Sequence, residues 1–566
     1  MSDTASRESS ASQTPSLAIR HGAPLTAQPR LLGDLLDRSV QRFHGRPAVD
    51  FMGRITSWGA LGADVERAAA ALQALGVVKG TRVALCLPNT PYYPVFFFAT
   101  LKAGGIVVNV NPLYVERELT HLIEDSGAEI IVTCDIAEIQ ARVLKVAGET
   151  GLRHVITCPI ADVLPGLKRF GYRLVKRKEI GHAPASVQHL YYRAFMAKGG
   201  TSRAVAVDPH EVAVLQYTGG TTGVPKAAML SHANIVANTD AMLVHCGGEV
   251  PEQDRVLGVL PLFHVFALTN VLTFSTLVAA EMILLPRFEL KQLLATLKRT
   301  RPTYFPAVPT IYNALANLPA GERPDLSAIK VCISGGAPLP VEVRHAFEAH
   351  TGAKLVEGYG LSEASPIITC NPFVGVNKEG SAGLPFPGTT IEIRDREDPT
   401  RIMPAGEKGE ICARGPQVMS GYWHKPAETQ AAFADGSLRT GDVGYLDADG
   451  YLFIVDRIKD MILCGGYNVY PRVIEEALYE HPAVVEAVVI GVADPHRGQS
   501  PKAFVVVNDP AVTGAALRDF LRDKISKIEL PREVEIRDTL PKTLIGKLSK
   551  KELVAEEEAK AAQHAG

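Results

Sequence analysis

Apolar residues recur along this chain in two alternating textures, short continuous runs and longer helical stripes, and the alternation predicts the architecture. Residues 31–44 and 60–75 carry the i, i+3, i+4 spacing of amphipathic helices, and Gly76 stands where a C-cap glycine closes the second. The run 82–87, ending at Pro88, predicts a buried parallel strand. The pattern repeats as helix 93–101, strand 106–110, helix 116–126 and strand 130–133, which predicts a doubly wound α/β layer. A second run follows, with strands at 256–260 and 281–286, a helix at 290–299 and strands at 304–308 and 331–334. From about Gly383, turns rich in Pro, Gly and Asp separate strands at 390–394, 409–413 and 451–455. A last unit begins near Asp456, with a helix at 472–480, strands at 484–491 and 502–507, and a lysine-rich end at 542–551. The expected fold is therefore α/β: a large N-terminal domain (31–457) of doubly wound sheets with a β-rich subdomain, then a small α+β domain (458–566).

Length supports this division, because 566 residues exceed one core and suggest three or more folding units. The net charge of -2 balances 59 basic against 61 acidic residues, which argues against a nucleic-acid partner. Eight cysteines lie scattered with no metal-ligand spacing, as reduced thiols of a cytoplasmic protein do. Residues 1–30 are rich in Ser, Thr and Ala, lack the apolar core of a signal peptide, and read as a disordered tail. The stretch 256–280 contains no Asp, Glu, Lys or Arg and is long enough to span a bilayer. Its Pro261, His264 and Asn270 favour buried strand and helix instead. In 166–180, Lys168, Arg169, Arg173, Lys176, Arg177 and Lys178 interleave with Leu167, Phe170, Tyr172, Leu174 and Val175. Two readings stand: a basic amphipathic segment lying on the anionic inner face of a membrane, or a solvated helix.

The densest chemistry is Gln216-Tyr217-Thr218-Gly219-Gly220-Thr221-Thr222-Gly223-Val224-Pro225-Lys226. Three glycines permit close backbone approach, threonine hydroxyls donate, and Lys226 adds charge, a set suited to polyphosphate. Its order is not that of a Walker loop, since the lysine follows Val224-Pro225. Two strand exits, Gly335-Gly336-Ala337 and Glu357-Gly358-Tyr359-Gly360-Leu361-Ser362-Glu363, add glycines and polar groups where open α/β sheets bind ligands. Ser362 lacks the final glycine of a nucleophile elbow, against hydrolase chemistry there.

These motifs, followed in order by Thr440-Gly441-Asp442, Asp456-Arg457, Gly465-Gly466-Tyr467-Asn468-Val469-Tyr470-Pro471 and Pro541-Lys542-Thr543-Leu544-Ile545-Gly546-Lys547, resemble the adenylate-forming superfamily over about residues 31–553. Within it the chain is most similar to bacterial long-chain fatty-acid–CoA ligases, through runs such as Val107-Val108-Asn109-Val110-Asn111-Pro112-Leu113-Tyr114 and Gly415-Pro416-Gln417-Val418-Met419-Ser420-Gly421-Tyr422-Trp423. The resemblance implies ATP, Mg2+ and coenzyme A as cofactors and co-substrates. It implies that residues 218–223 and Lys226 hold the β- and γ-phosphates, and that Thr218 and Glu363 ligate Mg2+. Adenine would lie between Gly335-Gly336-Ala337 and Glu357-Gly358-Tyr359, with Gly360, Leu361 and Ser362 beside it. Asp442 would take the ribose hydroxyls and Arg457 the ribose or phosphate. Lys547 would catalyse adenylation, and His264 would lie near the carboxylate pocket. Rotation about a hinge near Lys459 would bring Gly465, Gly466, Tyr467 and Asn468 to CoA.

The implied activity is fatty-acid adenylation with pyrophosphate release, then thioester formation on CoA. Alternatives are a ligase of medium-chain or aryl acids, an enzyme with another acyl acceptor, or an inactive membrane-associated lipid-binding protein. Chain length of the acid and a homodimeric state stay open.

Overall fold

The computed structural model describes residues 28–564 apart from 187, 219–224, 249–253, 466 and 544–545. Its first layer is a seven-stranded sheet in the order His189–Tyr191, His154–Cys158, Ile130–Cys134, Arg82–Cys86, Ile106–Asn109, Val212–Thr218, Lys226–Ser231. The first six are parallel, and most of their apolar runs are buried along their length, as all-parallel strands require. The last pair is antiparallel, with Thr218 opposite Lys226. The glycine-rich stretch thus joins a hairpin. A Walker loop instead runs from strand to helix, so topology adds to the departure in residue order.

The second layer has nine strands, ordered Leu384–Pro385, Ile367–Cys370, Leu355–Gly360, Val331–Ser334, Tyr304–Ala307, Arg255–Gly258, Glu281–Leu284, Pro47–Phe51, Arg54–Ser57. The six in the middle run parallel. Arg255–Gly258 lies between its two sequence successors, which places a topological switch point, and so a crevice, at its C-terminal end. The 47–57 hairpin belongs to this sheet although its sequence neighbours build the other. Trp58, fully buried beneath it, donates its indole N–H to the Ala279 carbonyl at 3.3 Å, 221 residues away. The uncharged stretch 256–280 becomes strand, a π-helical turn at Leu268–Thr273 and helix Phe274–Val278, mostly buried. Among the described residues no helix is long and apolar enough to cross a membrane.

The β-rich part is a five-stranded antiparallel sheet of Thr390–Arg394, Gly409–Arg414, Phe433–Ala434, Ser437–Leu446 and Leu452–Arg457. Beyond it, Tyr467–Val469, Ile462–Cys464, Gly498–Val507, Val484–Asp494 and Glu533–Ile536 form a separate sheet. That sheet packs on helices Pro471–Tyr479 and Gly514–Leu521 around its own core, including Ile474, Leu478, Val489, Val505 and Leu517. The lysine-rich end continues into helix Lys550–His564. At the other end of the chain, Arg30 is anchored through Nη2, which donates to both carboxylate oxygens of Asp240 at 2.5 and 2.6 Å.

Candidate active site

The strand exits and the small C-terminal unit enclose a cleft of about 1340 Å³. Thr218, His264, Gly335, Gly336 and Ala337 line it, as do residues 357–363 and Asp442, Arg457 and Lys547. The exits are built for close approach. A Cβ on Gly360 would stand 1.9 Å from the Pro366 carbonyl oxygen, and one on Gly336, at φ +85°, would stand 2.9 Å from Lys547 Cε. Any side chain at Gly336 would therefore displace the lysine.

Strand register makes the polar centre. Asp442 on Ser437–Leu446 lies directly opposite Arg457 on Leu452–Arg457, and Arg457 Nε approaches Asp442 Oδ1 at 3.4 Å. Tyr359 Oη donates to Asp442 Oδ2 at 2.5 Å. Burial raises the Asp442 carboxyl above its usual range, and Arg457 and the tyrosine hydroxyl pull the other way. Glu357 is also buried; that burial lifts its pKa to about 7, against the field of Arg472 from the small unit. A carboxylate fixed by an arginine and a phenol is suited to accepting hydrogen bonds from vicinal hydroxyls.

At the other end of the cleft, the Thr218 hydroxyl donates to the Lys226 carbonyl at 3.3 Å. Glu363 sits on the 3-10 turn Ser362–Ala364 that follows strand Leu355–Gly360, where its Oε1 accepts from Tyr422 Oη at 2.8 Å. Gly219, Gly220, Thr221, Thr222 and Gly223 lie outside the described residues. Among the described residues no cluster of three His, Cys, Asp or Glu side chains forms a metal cage. The donors on hand are a threonine hydroxyl and one carboxylate. That set fits Mg2+, which binds through one or two protein oxygens together with substrate phosphates and water.

Lys547 enters from the small unit. Its turn is closed by Thr543 N–H to the Lys547 carbonyl at 2.7 Å and Lys547 N–H to Thr543 Oγ1 at 3.1 Å. The turn is pinned to the large unit where Thr310 Oγ1 donates to the Gly546 carbonyl at 2.7 Å, and Asn313 Nδ2 ties strand Val484–Asp494 to the same helix through the Val485 carbonyl at 2.8 Å. Burial lowers the Lys547 pKa to about 8, helped by Arg457 and opposed by Asp442. His264 is held neutral, at about 3, by burial and then by the charge of Lys547. Its Nδ1 accepts the Phe266 N–H at 3.3 Å, leaving Nε2 for the cleft.

Gly465, Tyr467 and Asn468 do not line this cleft, and Gly466 lies outside the described residues. Tyr467–Val469 is an edge strand of the small sheet, with Tyr467 exposed. Three features escape sequence reasoning. Tyr422 lies in a quoted motif without an assigned role. Thr310 and Asn313 dock the small unit but sit in an ordinary helix start. A buried relay links Tyr93 Oη to Asn109 at 2.6 Å, Asn109 to Gln216 at 2.9 Å and Gln216 to the Phe263 carbonyl at 3.2 Å, stitching the two sheets together beside His264.

Comparison with known proteins agrees with this geometry. Residues 36–423 match the family model described as AMP-binding enzyme, and 473–547 match its C-terminal domain. A long-chain-fatty-acid–CoA ligase of Bacillus subtilis is 42% identical over 556 residues, 96% of this chain and 98% of the relative. One from Escherichia coli O6:H1 is 38% identical over 532 residues, 92% and 94% of the two chains. The crystal structure of an anthranilate CoA ligase in complex with anthranoyl-AMP superposes with a TM-score of 0.84 at 27% identity, covering 95% of this chain and 99% of that one. The chain belongs to the AMP-binding, adenylate-forming family of enzymes.

Proposed function

We propose that this enzyme joins a long-chain fatty acid to coenzyme A at the expense of ATP. A carboxylate oxygen attacks the α-phosphorus, the bond to the bridging oxygen breaks and pyrophosphate leaves; the CoA sulfur then attacks the acyl carbon, AMP leaves and the thiol proton passes to solvent. The observation that carries the reading is Lys547, delivered by the small domain into the cleft between Gly336 and Asp442. There its ammonium can meet carboxylate and α-phosphate together, stabilising charge that grows in the transition state. Residues 218–223 and Lys226 hold the outgoing phosphates, Asp442 and Arg457 the ribose, and Gly335, Gly336, Ala337, Glu357, Gly358 and Tyr359 the adenine. Thr218 and Glu363 would hold Mg2+, which neutralises phosphate charge when bound. Neutral His264 donates from Nε2 toward the acid.

Thiol attack requires Lys547 to leave. The domain boundary at 457/458 and the hinge at Lys459 supply the motion, carrying residues 465–468 to the pantetheine chain. The preference for long chains rests on the relatives from B. subtilis and E. coli; the anthranilate ligase keeps an aryl acid as the second reading. Pyrophosphate release on acids from acetate to oleate and on benzoate separates them. Oleate and palmitate should be fastest; turnover of aromatic acids alone would overturn the substrate, and no turnover of any acid would overturn the chemistry.

The enzyme works in the cytoplasm and touches the anionic inner face of a membrane through helix Gly166–Val175. None of its residues is buried, and Leu167, Phe170 and Leu174, on one face, are 92, 71 and 69% exposed. The other face is tied down: Arg169 and Arg173 each reach Asp162 at 2.9 Å, Lys168 reaches the Met52 carbonyl at 2.8 Å, and Tyr172 packs on the core. Apolar side chains held outward beside Lys176, Arg177 and Lys178 suit a bilayer interface. Sedimentation with anionic and zwitterionic vesicles tests this: F170E/L174E should abolish binding to anionic vesicles, and unchanged binding would refute it.

A further inference from the structure

Tyr422 stands between two oppositely charged groups that the proposed chemistry needs at the same phosphates. Its hydroxyl donates to Glu363 Oε1 at 2.8 Å, and the Lys226 ammonium lies over its ring, 4.5 Å from the centroid. The tyrosine does not reach either group by side-chain flexibility. Residues 421–423 add to the edge of the seven-stranded sheet, where Trp423 N–H donates to the Ala227 carbonyl at 2.8 Å, Met229 N–H to the Gly421 carbonyl at 2.9 Å, and Ala228 bridges Tyr422. Thr429 Oγ1 accepts the Tyr422 N–H at 2.9 Å. The ring is therefore fixed to the strand that begins with Lys226, and at 9% exposure its phenol is a permanent donor.

We propose that Tyr422 is a positioning residue that presets two charges of the pyrophosphate site: its hydroxyl orients the Glu363 carboxylate that would hold the metal, and its ring holds the Lys226 ammonium in place. Without it, a flexible lysine and a nearby carboxylate would satisfy each other as an ion pair, and neither would face the nucleotide. The rigid aromatic spacer prevents that collapse. Its two functions are chemically separable, because phenylalanine keeps the ring and loses the hydroxyl, whereas leucine loses both.

This inference rests on the adenylation reading, and calorimetric titration with ATP separates the two. Titrations are run in EDTA and at a series of Mg2+ concentrations on the full chain, with thermal melts as a check of folding. Y422F should bind ATP in EDTA within about twofold of the unmodified enzyme, while the Mg2+ concentration that gives half of the metal-dependent gain in affinity rises about tenfold, the worth of a hydrogen bond to a charged group. Y422L should show the same metal defect and, in addition, about fivefold weaker ATP binding in EDTA, the worth of a cation–π contact. An unchanged Mg2+ midpoint in Y422F with normal ATP binding, or equal EDTA affinities for Y422F and Y422L, overturns the positioning role. Failure of the unmodified enzyme to bind ATP at all overturns the adenylation reading and this inference with it.

Discussion

Replacing Lys547 with methionine keeps an unbranched side chain, one atom shorter, and removes the charge, and it separates the two half-reactions. The lysine lies in a cleft that lowers its pKa to about 8 from the ordinary 10.5, chiefly by burial. A lowered lysine pKa means that the charged form disappears as pH rises through about 8, well before an exposed lysine would titrate. By that value about 90% of the free enzyme carries the charge at pH 7 and about 10% at pH 9, so kcat/KM for adenylation should fall about ninefold across that interval. The K547M variant loses a donor aimed at developing phosphate charge, which costs about 100- to 1000-fold in rate. Its thioester step, started from synthetic acyl-adenylate and CoA, should change by less than about threefold, because thiol attack follows the departure of residue 547 from the cleft and does not use its charge. The assay is single-turnover pyrophosphate release from pH 6.5 to 9.5, beside CoA consumption from preformed adenylate. Equal loss in both half-reactions, or an alkaline fall that persists in K547M, would refute this account of the lysine.

D442A strips Tyr359 and Arg457 of their shared partner and removes the carboxylate proposed to accept from the ribose. ATP affinity by calorimetry should weaken about 10- to 100-fold, from hydrogen bonds to a charged group worth about 1.5–3 kcal/mol. Glu357, raised to about 7, binds its proton more tightly folded than unfolded, so its contribution to stability is complete below pH 4.5 and declines as pH rises toward 7. E357Q should therefore be more stable than the parent at pH 8, by at most about 3 kcal/mol, and should lose that advantage at pH 4.5; melting curves at the two pH values decide. T310V removes the 2.7 Å bond to the Gly546 carbonyl and should slow adenylation about fivefold, for a loss of about 1 kcal/mol, while sparing the thioester step. Equal slowing of both steps would show that Thr310 only supports the fold.

The parallel strands were legible because they are continuous apolar runs that end in Gly or Pro, as at Arg82–Cys86 and Val331–Ser334. The lining of the candidate site was legible wherever a strand exit carried its own chemistry, as at Gly335-Gly336-Ala337. Pairings across great sequence distances were not legible. Nothing local tells Pro47–Phe51 to lie beside Glu281–Leu284, because a buried strand reads the same in either sheet. The placement of Tyr422 was hidden for a related reason: its motif is visible, but its contacts with Glu363 and Lys226 follow from a backbone pairing with Ala228 that no periodicity announces. Helix Gly166–Val175 left two readings because a basic amphipathic pattern is the same whether water or lipid covers it. What the structure adds there is the outward aim of Leu167 and Phe170.

The central claim is that ATP is cleaved at its α-phosphate by a fatty carboxylate. Incubating the enzyme with oleate and ATP labelled at the α-phosphorus, without CoA, tests it most directly. Labelled oleoyl-adenylate should accumulate to about one equivalent per enzyme with pyrophosphate released, and added CoA should convert it to oleoyl-CoA and labelled AMP. Labelled ADP with free phosphate, or no oleate-dependent product, would contradict the account.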